Sequence, residues 1–270
     1  MREIKVRTSQ RPRPLPTGRW AMTQRWGDLL FAHWRAPAAA ITPLLPDGLQ
    51  PDTFQGSAWV SAVPLWTDRF NFRGIPPVPG ARRFPELHFR TYVRDQHSGT
   101  PGIFNFSVEM GNLLAVLAER FVFQMPCNWA EMRLSQRTER EFSFYCRRLL
   151  SRQEVVFSAR YRGLGPTRRL AEIRSGSLEY FLTERYCIFA RNRAGVAVRA
   201  NIHNVSSPLE DAEADIDRND LPAACGVSIP AQKPVLHYQR RLAVYVWPVE
   251  LVEPVRRRGE RIPAPAVPSI

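Results

Sequence analysis

Short runs of residues with alternating polarity recur along this chain, and they limit its fold more than any other sequence feature. In the run from Glu86 to Arg94, apolar and polar residues occupy alternate positions. Successive side chains of a β-strand point to opposite faces, so this spacing predicts a strand. One face carries Leu87, Phe89, Thr91 and Val93, and the other carries Glu86, His88, Arg90 and Tyr92.

Similar runs, bounded by turn residues, predict many further strands. They are Asp28–Trp34, Leu49–Phe54, Ser57–Trp66, Ile103–Glu109, Ala130–Leu134, Glu141–Arg147, Glu154–Tyr161, Tyr186–Ala190, Val196–Asn201 and Val235–Trp247. We expect Leu49–Phe54 and Ser57–Trp66 to form a hairpin around Gln55 and Gly56. Pro248 is expected to end the last strand, because proline cannot donate a hydrogen bond to a neighbouring strand.

Helical signals are few. Apolar residues at near-helical spacing predict a helix over Gly111–Phe123, and Ser177–Arg185 is a second helix that Ser175 or Ser177 can cap. Pro37–Leu45 is a brief third helix, and the acidic run Glu210–Asp220 is expected to be an exposed helix or loop. Many strands without a strand–helix–strand rhythm indicate an α+β fold, mainly an antiparallel sheet or barrel with helices packed outside.

The chain has the organisation of one domain between two arms. Residues 1–19 and 254–270 are rich in proline and arginine and are expected to be disordered, which leaves 20–253 as a single domain. No apolar run approaches the ~20 residues that span a bilayer. No secretory signal precedes the domain, so we expect a cytoplasmic protein.

The positive charge of the chain raises the question of nucleic-acid binding. The formal net charge is +13, and the two arms carry much of it. Lys5 and Lys233 are the only lysines, so the basic residues are almost all arginines. This skew is explained more simply by an arginine-rich coding bias than by a phosphate-binding face. Nucleic-acid binding is therefore unlikely and ranks third among the functions we consider.

The spacing of metal-binding residue types does not support a metal site. The four cysteines are far apart, and no two histidines have the spacing of a zinc motif. We therefore expect reduced cysteines, no metal and no cofactor.

Several sequence stretches, in this order along the chain, resemble the YqjF-like (DUF2071) family of the acetoacetate-decarboxylase-like superfamily. They are Asp28–Trp34 (DLLFAHW), Gly56–Pro64 (GSAWVSAVP), Pro76–Gly80 (PPVPG), Phe84–Val93 (FPELHFRTYV), Pro101–Ser107 (PGIFNFS) and Gly176–Cys187 (GSLEYFLTERYC). The resemblance extends from about residue 26 to 248. It implies a cone-like antiparallel barrel that encloses a small pocket, and relatives that often form homo-oligomers.

The resemblance also implies a site that differs from that of the decarboxylases. Those enzymes form a Schiff base between a β-keto acid and a lysine whose pKa a neighbouring cation lowers. The comparable stretch here is Gln124–Asn128, which places Cys127 and Asn128 at the two lysine positions. Schiff-base decarboxylation by the usual lysine is therefore not expected.

The candidate site residues follow from the strand pattern and from the resemblance. Glu86 looks like the counterpart of a decarboxylase glutamate that faces the substrate, and Arg90 and Tyr92 share its strand face. The catalytic candidates are Glu86 and His203; the substrate-binding candidates are Arg90, Tyr92, Glu109, Glu184, Arg185 and Cys127. Each has an ordinary structural alternative: a wet strand face, a helix cap, an ion pair, a buried thiol or a hydrogen-bonded histidine.

Two functions remain open ahead of nucleic-acid binding. The first is a lysine-independent lyase, hydratase or isomerase acting on a small carbonyl or carboxylate compound, in which Arg90 polarises the ligand and Glu86 or His203 moves protons. The second is a protein that binds a small ligand without catalysis. Both predict a closed pocket of roughly a few hundred Å³ with converging polar groups.

Overall fold

A computed structural model describes residues 11–74, 82–165, 173–206 and 208–253, and twelve strands make up most of them. The strands are β1 (Met22–Ala36), β2 (Leu49–Pro51), β3 (Ala58–Phe72), β4 (Arg83–Asp95), β5 (Pro101–Met110), β6 (Cys127–Gln136), β7 (Glu141–Arg148), β8 (Val156–Gly163), β9 (Cys187–Arg191), β10 (Ala197–Ser206), β11 (Leu209–Asn219) and β12 (Val235–Leu251). The α-helices are α1 (Ala38–Ile41), α2 (Leu113–Ala118), α3 (Leu178–Thr183) and α4 (Leu221–Ala224). A 3₁₀ turn, Thr42–Leu44, follows α1, and a π turn, Glu119–Phe123, follows α2.

The strands form a single sheet that closes on itself. Its order is β10-β9-β5-β6-β7-β8-β11-β12-β1-β3-β4-β2, with additional pairings of β10 with β12 and of β5 with β4. These pairings trace a closed circuit through β4, β5, β9, β10, β12, β1 and β3. β5 runs parallel to β6 and β9, and the other pairings are antiparallel. The predicted α+β, mainly antiparallel barrel is confirmed.

Two large apolar clusters lie on opposite faces of the strands. Leu87, Phe89 and Val93 of β4 belong to the cluster that also packs against β7 and β8. The second cluster takes residues from β1, β3, β5, β10 and β12, so it lies inside the closed circuit. Glu86 and His88 face a cavity at this second cluster. The alternation predicted for β4 therefore places its polar residues in the interior of the barrel.

Three predicted elements differ from the structure. Glu210–Asp220 is a strand, β11, not a helix or loop, because its acidic side chains pair with arginines of β8: Arg160 with Asp215 and Arg162 with Glu213. The turn at Gln55 and Gly56 exists, but β2 pairs with β4 and not with β3. β12 continues past Pro248, because this proline falls in a register shift of the β10–β12 pairing, a bulge at which proline is tolerated.

The helix α2 presents the opposite face to the one that its sequence suggests. Leu113, Leu114, Leu117, Phe121 and Val122 are exposed. Ala115, Val116, Glu119 and Phe123 are buried instead. The helix continues as a π turn after Ala118, and this change of pitch turns Glu119 towards the interior of the barrel.

The ends of the chain are described in part. Residues 11–19 contain no helix or strand, yet Arg11 donates hydrogen bonds to Ile202 O and to His203 Nδ1, and Arg13 donates one to Thr100 Oγ1. Residues 1–10 and 254–270, and Pro76–Gly80 of the resemblance, lie outside the described residues. The predicted domain limits therefore stay predictions. In the described ranges, no helix is long and apolar enough to cross a membrane.

Candidate functional site

A small, partly enclosed cavity lies inside the closed circuit of strands. Its volume is about 50 Å³, which is below the few hundred Å³ that the sequence led us to expect. Apolar residues form most of its wall, including Met22, Val108, Met110 and Val244. Its polar lining residues are Gln24, Glu86, His88, Asn105, Glu119 and Cys127. All six are buried, so water cannot satisfy their polar atoms freely.

Glu86 and His88 form a buried pair on one face of β4. Nε2 of His88 lies 2.9 Å from Oε2 of Glu86, and the edge of the His88 ring packs against Trp26. The other carboxylate oxygen, Oε1, has no hydrogen-bond partner. A buried acceptor without a partner costs free energy. This oxygen is therefore available to a group that enters the cavity.

Glu119 reaches the same cavity from the π turn. Nε2 of Gln24 donates a 2.9 Å hydrogen bond to Oε1 of Glu119, while Oε1 of Gln24 accepts one from the Trp26 indole. Burial and the nearby charge of Glu86 raise the pKa of Glu119 to about 8. Glu119 is therefore mostly a neutral carboxylic acid at pH 7 and can act as a proton donor in this cavity.

Asn105 and Cys127 complete the polar lining. Neither Oδ1 nor Nδ2 of Asn105 has a hydrogen-bond partner, although the residue is 1% exposed. Burial, together with the charges of Glu119 and Glu86, raises the pKa of Cys127 well above its usual value. Cys127 is therefore a neutral thiol, and this environment does not activate it as a nucleophile.

Three of the residues predicted from the sequence lie at a different cavity. Arg90, Glu184 and Arg185 line an enclosed space of about 40 Å³, and Trp26 lines both this space and the site cavity. Nε of Arg90 has no hydrogen-bond partner, whereas Arg185 forms an ion pair with Asp52. The structure does not bring Arg90 to Glu86, because the large Trp26 side chain lies between the two spaces.

The remaining predicted residues do not line the site cavity. The hydroxyl of Tyr92 contacts Ser61 Oγ and His33 Nδ1 in the core. Burial and the charge of Arg11 lower the pKa of His203 to about 4, so this histidine is neutral at pH 7. Glu109 forms a buried ion pair with Arg148. Of the eight predicted residues, the structure brings only Glu86 and Cys127 together at this cavity.

The comparison with known proteins decides the family. The model of family DUF2071, described as an uncharacterized conserved protein, matches residues 23–243. This chain belongs to the DUF2071 family. A DUF2071 relative, "Uncharacterized protein YqjF" of Bacillus subtilis (strain 168), is 36% identical over 243 residues, which are 90% of this chain and 97% of the relative.

Solved structures place this DUF2071 protein in the acetoacetate-decarboxylase-like fold. An acetoacetate decarboxylase from Legionella pneumophila matches with a TM-score of 0.62 and 11% identity, over 92% of this chain and 94% of that chain. The enduracididine biosynthesis enzyme MppR, complexed with pyruvate, matches with a TM-score of 0.63 and 11% identity, over 89% and 93%. At these identities the likeness concerns the fold alone.

Sequence reasoning missed four cavity residues of this DUF2071 protein as site residues. Gln24 precedes the strand predicted at Asp28–Trp34, and nothing in its neighbourhood marks it. Glu119 interrupts the apolar residues of a predicted helix, and such a lone acid is a usable signal. The sequence pattern predicts the correct strand face for His88 but does not mark it as a site residue. Asn105 lies in a strand that is otherwise mostly apolar, and nothing marks it either. In the described ranges, no group of three or more His, Cys, Asp or Glu residues could hold a metal ion.

Proposed function

We propose that this protein binds a small carbonyl compound in the cavity and moves protons on it with Glu86 and Glu119. The supporting observation is that two buried carboxyl groups line one small cavity and that the pKa of one is raised to about 8. A carboxylic acid that stays neutral at pH 7 can donate a proton, and a carboxylate beside it can accept one. The pair therefore suits acid–base chemistry next to a carbonyl group.

The proposed chemical step gives the two carboxyl groups different roles. Oε1 of Glu86, which has no partner, takes a proton from the carbon next to the carbonyl group. Glu119 donates its proton to the carbonyl oxygen, so the C–H bond breaks as the O–H bond of an enol forms. An isomerase, a hydratase or a lyase can each proceed from such an enol. The apolar wall excludes water and strengthens both interactions.

A Schiff base is not part of this proposal. Lys233 is exposed at a separate surface cleft beside Trp34 and Pro234, and Lys5 lies outside the described residues. The positions that the resemblance assigns to the decarboxylase lysines hold Cys127 and Asn128. Cys127 lines the cavity as a neutral thiol and cannot replace an amine in that chemistry.

The size of the cavity limits the ligand. An engineered apolar cavity of about 150 Å³ admits benzene, and this cavity is smaller. We therefore infer that it accepts a group of a few non-hydrogen atoms, such as the carbonyl end of a small acid. MppR, which has the same fold, is complexed with pyruvate in its solved structure, and this supports pyruvate as a first test compound.

Ligand-dependent thermal stabilisation tests the proposal. A ligand that binds the folded state raises the melting temperature, and the rise grows with the logarithm of the ligand concentration relative to its Kd. We expect small 2-oxo or 3-oxo acids to stabilise the wild type and to stabilise Ala200→Phe much less, because Ala200 lines the cavity. Stabilisation without any turnover would indicate the alternative function, a binding protein that performs no catalysis.

Nucleic-acid binding receives little support from the described surface. Exposed arginines of the outer strands are paired with acids: Arg147 with Glu131, Arg160 with Asp215, Arg162 with Glu213 and Arg218 with Glu154. These pairs neutralise arginines that would otherwise be free to bind phosphate groups on this surface. The homo-oligomer and the cytoplasmic location stay predictions; sedimentation velocity tests the first.

A further inference from the structure

A wide basic cleft lies directly outside the site cavity. Its volume is about 550 Å³, within the range of roughly 300–1,000 Å³ that is usual for ligand pockets. Asn105, Met125 and Cys127 line both the cleft and the cavity, so their side chains form the wall between the two spaces. A ligand that enters the cavity past these three side chains would leave its other end in the cleft.

The charge of this cleft has one sign. Arg120, Arg148, Arg191 and Arg193 line it, and its described lining residues include no aspartate or glutamate. Arg148 is neutralised by Glu109, at distances of 2.6 and 3.1 Å. In the described parts of the chain, no carboxylate pairs with the other three arginines. The cleft consequently keeps an excess of positive charge.

The three remaining arginines are held in place by uncharged groups. Nε of Arg120 donates to Cys127 O at 2.6 Å, and Nη2 of Arg191 donates to Leu44 O at 2.8 Å. The guanidinium of Arg193 lies 4.9 Å from the centre of the Phe121 ring. A guanidinium carries five N–H donors, so each arginine keeps donors for an anion. Fixed arginines favour carboxylate and phosphate groups.

Asn105 supplies a second, independent observation. It is buried, both of its amide atoms lack partners, and it lines both the cleft and the cavity. A buried amide that loses both hydrogen bonds is costly. A polar ligand that passes from the cleft into the cavity would satisfy it.

We propose that the substrate is an oxo acid that carries a second acidic group at the end opposite its carbonyl group. This second group, the anionic tail, binds in the arginine cleft. The inference rests on the proposed function, since the carbonyl end occupies the cavity beside Glu86 and Glu119. The tail is a carboxylate or a phosphate, because both offer the oxygen atoms that these arginines bind. Dicarboxylic oxo acids and phosphorylated oxo acids form the substrate class.

Calorimetric titration with three 2-oxo acids tests this class. Pyruvate has no tail, 2-oxoglutarate has a carboxylate tail and phosphohydroxypyruvate has a phosphate tail. We expect one tailed compound to bind the wild type at least about tenfold more tightly than pyruvate, because its tail accepts charge-assisted hydrogen bonds from the arginines. Whichever tailed compound binds more tightly shows whether the tail is a carboxylate or a phosphate.

Variants of exposed residues make the test specific. Arg191 and Arg193 are exposed, so Arg191→Gln/Arg193→Gln is expected to fold. It should weaken the tailed compound about tenfold and leave pyruvate binding within about twofold. Arg240→Gln, on an exposed arginine that does not line the cleft, is the matched control.

The contradicting outcomes separate the two proposals. If all three acids bind equally and the double variant binds them like the wild type, the tail inference is wrong and the proposed function stands. Pyrophosphate, titrated in the same way, serves as an anion without a carbonyl group. If it binds in an arginine-dependent way and no oxo acid binds, the proposed function and the substrate class are both wrong, and the cleft is an anion site only. If none of these compounds binds, both proposals are wrong.

Discussion

The side-chain amide of Gln24 donates a 2.9 Å hydrogen bond to Oε1 of Glu119 inside the barrel. The bond joins β1 to the π turn after α2, two elements far apart in sequence. It lowers the pKa of Glu119, but burial and the charge of Glu86 outweigh it and raise this pKa to about 8. The hydrogen bond from Gln24 therefore positions Glu119, whereas burial and the charge of Glu86 determine its protonation state.

The raised pKa of Glu119 predicts that stability falls as the pH rises from neutral. Between pH 4.5 and about 8, folded Glu119 keeps a proton that the unfolded chain has released. This stabilising contribution is complete below pH 4.5 and is lost as the pH rises through 8. The free energy of unfolding of the wild type should therefore fall between pH 6.5 and 8. We expect this fall to be smaller in Glu119→Gln, by about 1.4 kcal/mol per pH unit.

Urea unfolding at several pH values above 6.5 measures this difference. Two buried histidines, His33 and His203, make the free energy of unfolding decrease as the pH falls, because burial lowers the pKa of each. Their stabilising contribution is present above pH 6.5 and is lost as the pH falls. Equal pH dependence in wild type and Glu119→Gln would contradict the raised pKa of Glu119.

The ion pair of Arg148 with Glu109 predicts a large loss of stability when its cation is removed. Glu109 is fully buried, and Nη2 of Arg148 lies 2.6 Å from its Oε1. Removing one member of a buried pair leaves an uncompensated charge and costs about 3–5 kcal/mol. We expect Arg148→Leu to lower the free energy of unfolding by about this amount, as measured in urea.

Arg147 provides the matched control for this prediction. It is the neighbouring residue in β7, and it forms an exposed pair with Glu131 of β6. We expect Arg147→Leu to leave the unfolding midpoint close to that of the wild type, because water screens exposed pairs. Similar midpoints for the two variants would show that the Glu109 pair has no special role.

The lysine content predicts that borohydride does not trap a carbonyl compound on the folded domain. Lys233 is exposed at another cleft and does not reach the cavity. We expect incubation with pyruvate or acetoacetate and sodium borohydride to leave the intact mass unchanged. A stoichiometric adduct on Lys233 or Lys5, located by peptide mapping, would overturn the exclusion of Schiff-base chemistry.

The closure of the strand circuit predicts that one glycine of β5, Gly102, does not tolerate substitution by a residue with a side chain. A Cβ atom at Gly102 would lie 2.5 Å from the backbone oxygen of Cys187 in β9, and a backbone atom cannot move aside as a side chain can. We expect Gly102→Ala to lower the free energy of unfolding by about 1–3 kcal/mol. Thermal melts should show a smaller loss for Gly111→Ala, whose Cβ would meet a Pro85 ring atom at 3.2 Å.

The local pattern of the sequence predicts the strands well but not their partners. The alternation of β4 correctly separates Glu86 and His88 from Leu87 and Phe89, because one side of each strand must bury apolar groups. The pairing of β2 with β4 depends on long-range contacts that no local pattern records. β11 was missed because its acids are explained only by the arginines of a strand about 50 residues earlier.

The candidate site was less predictable than the fold. The strand face and the resemblance both indicate Glu86, whereas Arg90, four residues further along the same face, lies beyond Trp26 at another cavity. A strand crosses the barrel interior, so residues at i and i+4 can face different cavities. Gln24 and Glu119 are brought together by the closure of the sheet and by the π turn.

Exchange of carbon-bound protons for deuterium tests the central claim most directly. Small 2-oxo and 3-oxo acids are incubated in D₂O with the wild type, Glu86→Gln and Glu119→Gln, and the protons next to the carbonyl group are followed by NMR. The account predicts catalysed exchange for at least one acid and a loss of about 10²–10⁴-fold in both variants. Exchange that is absent for every acid, or that is as fast in both variants as in the wild type, would contradict a catalytic role for this carboxyl pair.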